Sequence, residues 1–498
     1  MRFGFVGPSY TARSTAVADE EAINLFSETA ETQGSVAPGK SYGGNIAESL
    51  KNFFGTPGLE VFALLPEKPV RGSFLANQRC FVVAGASLYE VKADKTFVNR
   101  GAVGSDSIAA SIAFNSIQLF IVSRGHGYCY DLATNTLTDQ TASLALAPVQ
   151  VEMADTFFIV IFSGSNKFQF SDPLDGTSWP GLNVNEVSVF PENIVSIAVN
   201  HRELWVFGSR HTQPYQDTGS AEVFDVIPGA LIEKGNAATF STCKLDNSLF
   251  WIDEDDRGAR GAWRSNGYTP QRISTHAVEI DLQSYSTAQI AKLTAYAYQD
   301  GGHLFWVLYV PNSSWSWVYD VGESAWHKRA FWIKDNGPYE SHHSWNHVYA
   351  FGTHLVGDWK SGNLYEMKMP VDHGDGSYSF VTDAGDLIRR LRRAPTVEDE
   401  RNYLYHKRLT VNFDTGLGPQ PPLVDGEGNP RPPQAMLRWS NNRGKTWSNE
   451  HWRDCGYAGE YDTPVHWDRL GRSRNRVYEL SMTDPIPWVV VDAYLDIE

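Results

Sequence analysis

Between about residue 68 and residue 370 the chain returns every forty or so residues to one short pattern, and that period restricts the fold more than any other feature. An apolar run recurs as Cys80–Ala84, Gln118–Val122, Phe157–Phe162, Leu204–Phe207, Leu249–Ile252 and Leu304–Tyr309. Polar pairs such as Asn77-Gln78, Asn115-Ser116, His201-Arg202, Asp246-Asn247 and Gly301-Gly302 stand before most of these runs. After each run comes a segment with an aromatic beside a polar residue, as in Leu88-Tyr89-Glu90, Tyr128-Cys129-Tyr130-Asp131, Trp317-Val318-Tyr319-Asp320 and Leu364-Tyr365-Glu366. A short fourth segment often closes the unit, for instance Leu137-Thr138-Asp139, Gln271-Arg272-Ile273 and Ala325-Trp326-His327. Four short antiparallel strands per unit cannot bury both faces alone and stack radially on their neighbours, so the pattern predicts an all-β chain built on a β-propeller of about seven blades.

Composition agrees. The 498 residues include 16 Trp, 22 Tyr and 26 Phe, with 42 Gly and 25 Pro, a mixture of strand-forming aromatics and turn formers. The length exceeds one ordinary core. The predicted organisation is an extended arm over residues 1–67, the propeller over 68–370 and a smaller C-terminal β-sandwich over 371–498. Strands are expected there at Leu404–Phe413, Ala435–Ser440, Arg476–Met482 and Trp488–Ile497, with the arm pairing into the sandwich. Two helices are expected, Ala16–Glu31 in the arm and Ser274–Tyr285 between blades, the latter opened by a Ser or Thr cap.

The formal net charge is −16, from 58 acidic and 42 basic residues, which opposes sequence-independent duplex binding by the surface as a whole. It suits a soluble protein, and also a channel past which DNA slides without sticking. Four cysteines, Cys80, Cys129, Cys243 and Cys455, lie too far apart for a CxxC site or a dense disulfide framework and read as buried thiols of a reducing compartment. The opening MRFGFVGPSYTARS lacks the basic head and apolar core of a secretory signal, and the longest apolar run, Phe157–Phe162, is far short of a bilayer span. A soluble protein made in the cytoplasm is the expectation.

Enzymatic signatures are missing: no GxSxG elbow, phosphate loop, dinucleotide fingerprint or HExxH, so no catalytic residue and no cofactor are assigned. Ser440-Asn441-Asn442-Arg443-Gly444-Lys445-Thr446-Trp447 resembles the S-x-D-x-G-x-T-W hairpin of sialidases, with Asn442 in place of the acid. It is expected to be a structural turn, like Asp172–Trp179. His342, His343 and His347 are close in sequence, but no adjacent carboxylate or thiol completes a metal set, and none is predicted. Two arginine clusters, Arg389, Arg390, Arg392, Arg393 and then Arg469, Arg472, Arg474, Arg476, are expected to contact other subunits or partners, since guanidinium forks suit carboxylates. Asp253, Glu254, Asp255 and Asp256 are expected in a solvated or channel-facing loop.

The C-terminal run Trp467-Asp468-Arg469-Leu470-Gly471-Arg472-Ser473-Arg474-Asn475-Arg476-Val477-Tyr478-Glu479-Leu480 and the final Ala493–Glu498 resemble the ending of the packaged-DNA stabilisation proteins of short-tailed bacteriophages, also called tail hub or nozzle proteins. Ile23-Asn24-Leu25-Phe26, Gly55-Thr56-Pro57-Gly58-Leu59, Leu204–Ser209, Ile232-Glu233-Lys234-Gly235 and Tyr268–Thr275 follow in the same order. The resemblance implies a virion tail protein assembled in the host cytoplasm. It further implies a homo-hexameric ring below the portal and its head-to-tail adaptor, which extends the DNA channel, helps retain the genome and carries tail fibres or tailspikes, with a plug or needle. Double-stranded DNA would pass without sequence-specific binding. The long Gly416–Pro433 loop and the basic Ile388–Arg393 stretch depart from the family. A glycan-binding or glycan-cleaving propeller, suggested by the Ser440 turn and the many aromatics, is the rival reading.

Overall fold

The computed structural model describes residues 2–3, 5, 7, 9–11, 20–29, 51–104, 106–219, 223–334, 338–371, 381–419 and 421–498. Seven four-stranded antiparallel blades follow one another, five of them as separate sheets and the last two as parts of larger sheets. Blade one consists of Val70–Ala76, Arg79–Ala84, Ser87–Val91 and Phe97–Ala102; blade six of Thr294–Asp300, His303–Tyr309, Ser316–Asp320 and Ala325–Trp332. The first strands of most neighbouring blades lie against one another, and Ser344–Ala350 of blade seven returns to Val70–Ala76, closing the ring.

The apolar runs are the second strands, buried on both faces along most of their length, as in Arg79–Ala84 and Phe157–Phe162. A strand between two stacked blades has no solvent face, hence a continuous run and no alternation. Several of the polar pairs before them are tight hairpins. Asn77 and Gln78, His201 and Arg202, and Asp246 and Asn247 all have positive φ, the two-residue turn whose twist matches its flanking strands. In blade seven the same turn is Phe351-Gly352, which composition does not reveal.

Blade seven takes its fourth strand from the N-terminal region. Gly58–Leu64 pairs antiparallel with Asn363–Lys368, Val61 opposite Tyr365. Residues assigned to the arm by sequence therefore complete the propeller. The arm helix expected over Ala16–Glu31 is not found: Glu21–Ile23 and Leu25–Thr29 are strands, and residues 12–19, 30 and 31 lie outside the described residues. Ala22, Ile23, Leu25 and Phe26 are buried because the segment is sandwiched between other elements rather than laid on a surface. The second helix is present as His276–Ser284, capped by the Thr275 side chain.

The C-terminal sandwich is built from both ends of the chain. One sheet contains Leu25–Thr29, Lys51–Gly55, Val489–Ile497, Leu404–Phe413 and Val465–Ser473. The other contains Glu21–Ile23, Arg390–Arg393, Asn475–Met482, Gln434–Ser440 and His451–Asp454. Trp467, Trp488, Tyr478, Leu409 and Leu480 fill the space between them. Truncating one such tryptophan costs about 3–5 kcal/mol.

Candidate interaction surfaces

The acidic run divides by burial. Asp253 ends the buried strand Ser248–Glu254 and accepts from Lys234 Nζ at 3.0 Å and the Gly235 amide at 3.3 Å. Its burial raises the carboxyl pKa more than Lys234 lowers it. Glu254 accepts from Arg260 Nε at 2.9 Å. Asp255 accepts from the Arg257 and Ala259 amides, both at 2.8 Å, and the Ala259 and Arg257 bonds hold its pKa low. Asp256 is exposed and pairs with Arg210 at 2.6 Å. All four face one open cleft of about 410 Å³, with Glu233, Arg210, His211, Lys234 and Arg257 on its walls. Asp255 and Asp256 are exposed, while Asp253 is a buried structural acid of the blade.

The first arginine cluster is not a surface patch. Arg390–Arg393 is an interior strand of the sandwich, paired with Glu21–Ile23 on one side and Asn475–Met482 on the other. Alternate side chains of a strand share a face, and Arg390 and Arg392 share the face that the N-terminal residues cover. Arg392 donates to the Phe5 carbonyl at 2.8 Å and to Ser9 Oγ at 2.6 Å, and lies 4.8 Å from the Phe53 ring centroid. Arg390 occupies the space left by Gly55, where a Cβ would stand 2.5 Å from its Nε. Burial draws both pKa values down to about 10. Arg393 bridges Glu479 at 2.7 Å and Glu21 at 3.0 Å; the two acids outweigh its burial and raise its pKa. Arg389 is half-buried, 3.8 Å from Glu450.

The second cluster splits. Arg476 is buried, donating to the Leu470 carbonyl at 2.6 Å and Asn441 Oδ1 at 2.8 Å. Arg469, Arg472 and Arg474 are exposed. The guanidinium groups of Arg472 and Arg474 sit 4.8 and 4.6 Å from the ring centroid of Tyr403, itself half exposed. Neither forms an ion pair with a carboxylate of the described residues.

The turn motifs are structural. Asn442 Oδ1 accepts from Ser440 Oγ at 2.8 Å and the Thr446 amide at 2.9 Å, and Asn442 Nδ2 donates to Thr446 Oγ1 at 2.8 Å. Asn442 thus does the turn-capping work of the acid it replaces. In the other turn Trp179 Nε1 donates to the Gly176 carbonyl at 2.8 Å. The histidines do not converge. His342 is buried and bonds Ser344 Oγ at 2.7 Å, His347 Nε2 meets His354 Nδ1 at 2.9 Å, and burial takes both His342 and His347 down to about 3. His343 does have a carboxylate, Asp358 at 3.3 Å, supplied by a neighbouring strand and so invisible to local spacing. Among the described residues no three His, Cys, Asp or Glu side chains are grouped to hold a metal ion.

Two family models match in succession, one described as Bacteriophage P22 Gp10, beta-propeller, over residues 52–372, and one as Bacteriophage P22 Gp10, beta-sandwich, over residues 389–498. No curated protein matches the sequence. Among solved structures, the extracellular domain of the putative hybrid two component system BT4673 from B. thetaiotaomicron is 9% identical with a TM-score of 0.44, over 64% of this chain and 40% of that one. YCF48 from Cyanidioschyzon merolae is 12% identical with a TM-score of 0.41, over 62% and 98%. The N-terminal domain of Nup159 is 12% identical with a TM-score of 0.38, over 63% and 95%. The chain thus spans less than half the length of the first of these.

Proposed function

The chain belongs to the bacteriophage P22 Gp10 family, and from that premise we propose that it is the tail nozzle, a ring below the portal and adaptor through which the genome leaves. The family carries the coarser statement, a structural tail-hub protein of the virion that stabilises packaged DNA. The finer reading adds a homo-hexameric ring, contact with the head-to-tail adaptor, attachment of fibres or tailspikes, and a plug or needle.

The observation that supports it most is the match of both family models in order, on a propeller and a sandwich that the N-terminal segment stitches together. A closed ring needs two different, complementary patches on one chain. The Tyr403, Arg472 and Arg474 edge is a candidate for one, the exposed acids of the Asp255-Asp256 cleft for the kind of surface it would meet. Light scattering on the purified chain, alone and with its adaptor, tests the ring, and a virion reconstruction tests its place. A chain that stays monomeric with the adaptor present and is absent from virions overturns the reading.

A further inference from the structure

Independently of the ring, the join between blade six and the N-terminal strand Leu25–Thr29 is pinned by one histidine. The backbone of that strand pairs with Lys51–Gly55, so its hold on blade six comes from side-chain contacts. The Phe26 ring centroid lies 5.0 Å from that of His303 and 5.6 Å from that of Phe305. Thr29 gives its amide and its hydroxyl to Glu323 at 2.7 and 2.6 Å. Between these anchors stands His303, 9% exposed, with a carboxylate at each ring nitrogen. Nδ1 meets Asp320 Oδ2 of blade six at 2.6 Å, and Nε2 meets Glu28 Oε2 of the N-terminal strand at 3.7 Å.

A neutral imidazole has one N–H and one lone pair, whereas the protonated ring has two N–H donors. Charged, His303 serves both acids. Neutral, it keeps the shorter bond to the buried Asp320 and turns a lone pair on the Glu28 carboxylate, so the contact between blade and strand is the one lost. The other groups around the ring do not replace that charge. Asp300 is opposite His303 in the hairpin register and adds a further acid. His327 packs against the Phe26 and Phe305 rings, and burial, then Arg329 two residues along its strand, then His303 draw its pKa well below the ordinary histidine value. Lys51 is paired with Glu323 at 3.2 Å. The hydrogen bond and charge of Asp320, helped by Glu28, outweigh burial and raise the His303 pKa.

We propose that a proton on His303 fastens the strand Leu25–Thr29 to blade six, and that its loss on the alkaline side of neutrality loosens the strand from the propeller at Glu28. A histidine whose pKa is raised by folding contributes its stability in full below its unfolded value of about 6.5 and loses it as pH rises through the folded one. Glu21–Ile23, directly before this strand, is paired into the sandwich. The proton therefore governs how firmly propeller and sandwich are joined.

The test uses the full chain. Hydrogen exchange of Leu25–Thr29 is followed at pH 6 and pH 8.5 and corrected for the intrinsic exchange rate, with Phe157–Phe162 of blade three as the reference. Protection of Leu25–Thr29 is expected to fall by about tenfold between the two pH values while the reference holds. Glu28→Gln and His303→Gln are each expected to give the lower protection at both. Glu28 has a side chain 52% exposed, so its replacement leaves folding intact, and it decides the matter should His303→Gln not fold. Equal protection of the unaltered chain at pH 6 and pH 8.5, or an undiminished fall in Glu28→Gln, overturns the proposal.

Discussion

Ile23 lies in parallel register with Lys328, and through this pairing blade six continues as one sheet into the C-terminal sandwich. The junction is charged as well as hydrogen-bonded. Lys328 Nζ bonds Glu21 at 2.9 Å and stands 3.6 Å from the Trp315 ring centroid, while Arg393 reaches Glu21 from the opposite side. The two domains are thus fastened by a strand from near the start of the chain, and loads on one reach the other through it.

Glu21 sets the acid limit of that junction. Burial opposes ionisation, but Lys328 and Arg393 together outweigh it and hold its carboxyl below the ordinary glutamate range. A depressed carboxyl contributes stability above its unfolded pKa and loses it as pH falls through the folded one. Glu21→Gln leaves the buried Lys328 and the half-buried Arg393 without their shared acid. It is expected to lose about 3 kcal/mol at pH 7, with the gap to the unaltered chain closing below about pH 4. Chemical denaturation at pH 7 and pH 3.5 measures both values.

Glu152 works in the reverse sense. It lies on Pro148–Ala154, the strand of blade three nearest the axis, and burial raises its carboxyl to about 7. The unfolded chain ionises it first, so stability falls as pH rises from about 4.5 to 7. Glu152→Gln is expected to match the unaltered chain near pH 4.5 and to exceed it by roughly 1–3 kcal/mol at pH 8. Equal stability of the two at pH 8 refutes this.

Ring closure depends on Leu59, 2% exposed among Phe305, Val356 and Met367. Leu59→Ala is expected to cost about 2–5 kcal/mol and to release blade seven first. Hydrogen exchange checks this: protection should fall in Asn363–Lys368 before it falls in the central strands of blade three.

The blades were legible from sequence because the two-residue turns and doubly buried second strands repeat, and each leaves a compositional trace. The helix at His276–Ser284 was legible from its Thr275 cap. What stayed hidden depends on long-range pairing. Glu21–Thr29 carries no local sign that it enters two sheets. The Ile388–Arg393 run looks like surface because charge is read locally, yet Phe5, Ser9 and Glu21 cover it from the far end of the chain. Asp358 reaches His343 only through the blade's hairpin geometry.

The exposed arginines then separate folding from assembly. Arg472 and Arg474 touch the Tyr403 ring at the surface and pair with no acid of the described residues, so replacing both with Glu should change stability by no more than about 0.5 kcal/mol. If this edge meets an acidic neighbour, the same change places like charges across the contact, which costs several kcal/mol per interface. The double variant is expected to melt like the unaltered chain yet to fail to sediment as a ring, and to be missing from particles when supplied in place of the unaltered protein. Rings that form normally with both residues reversed would remove this edge from the interface.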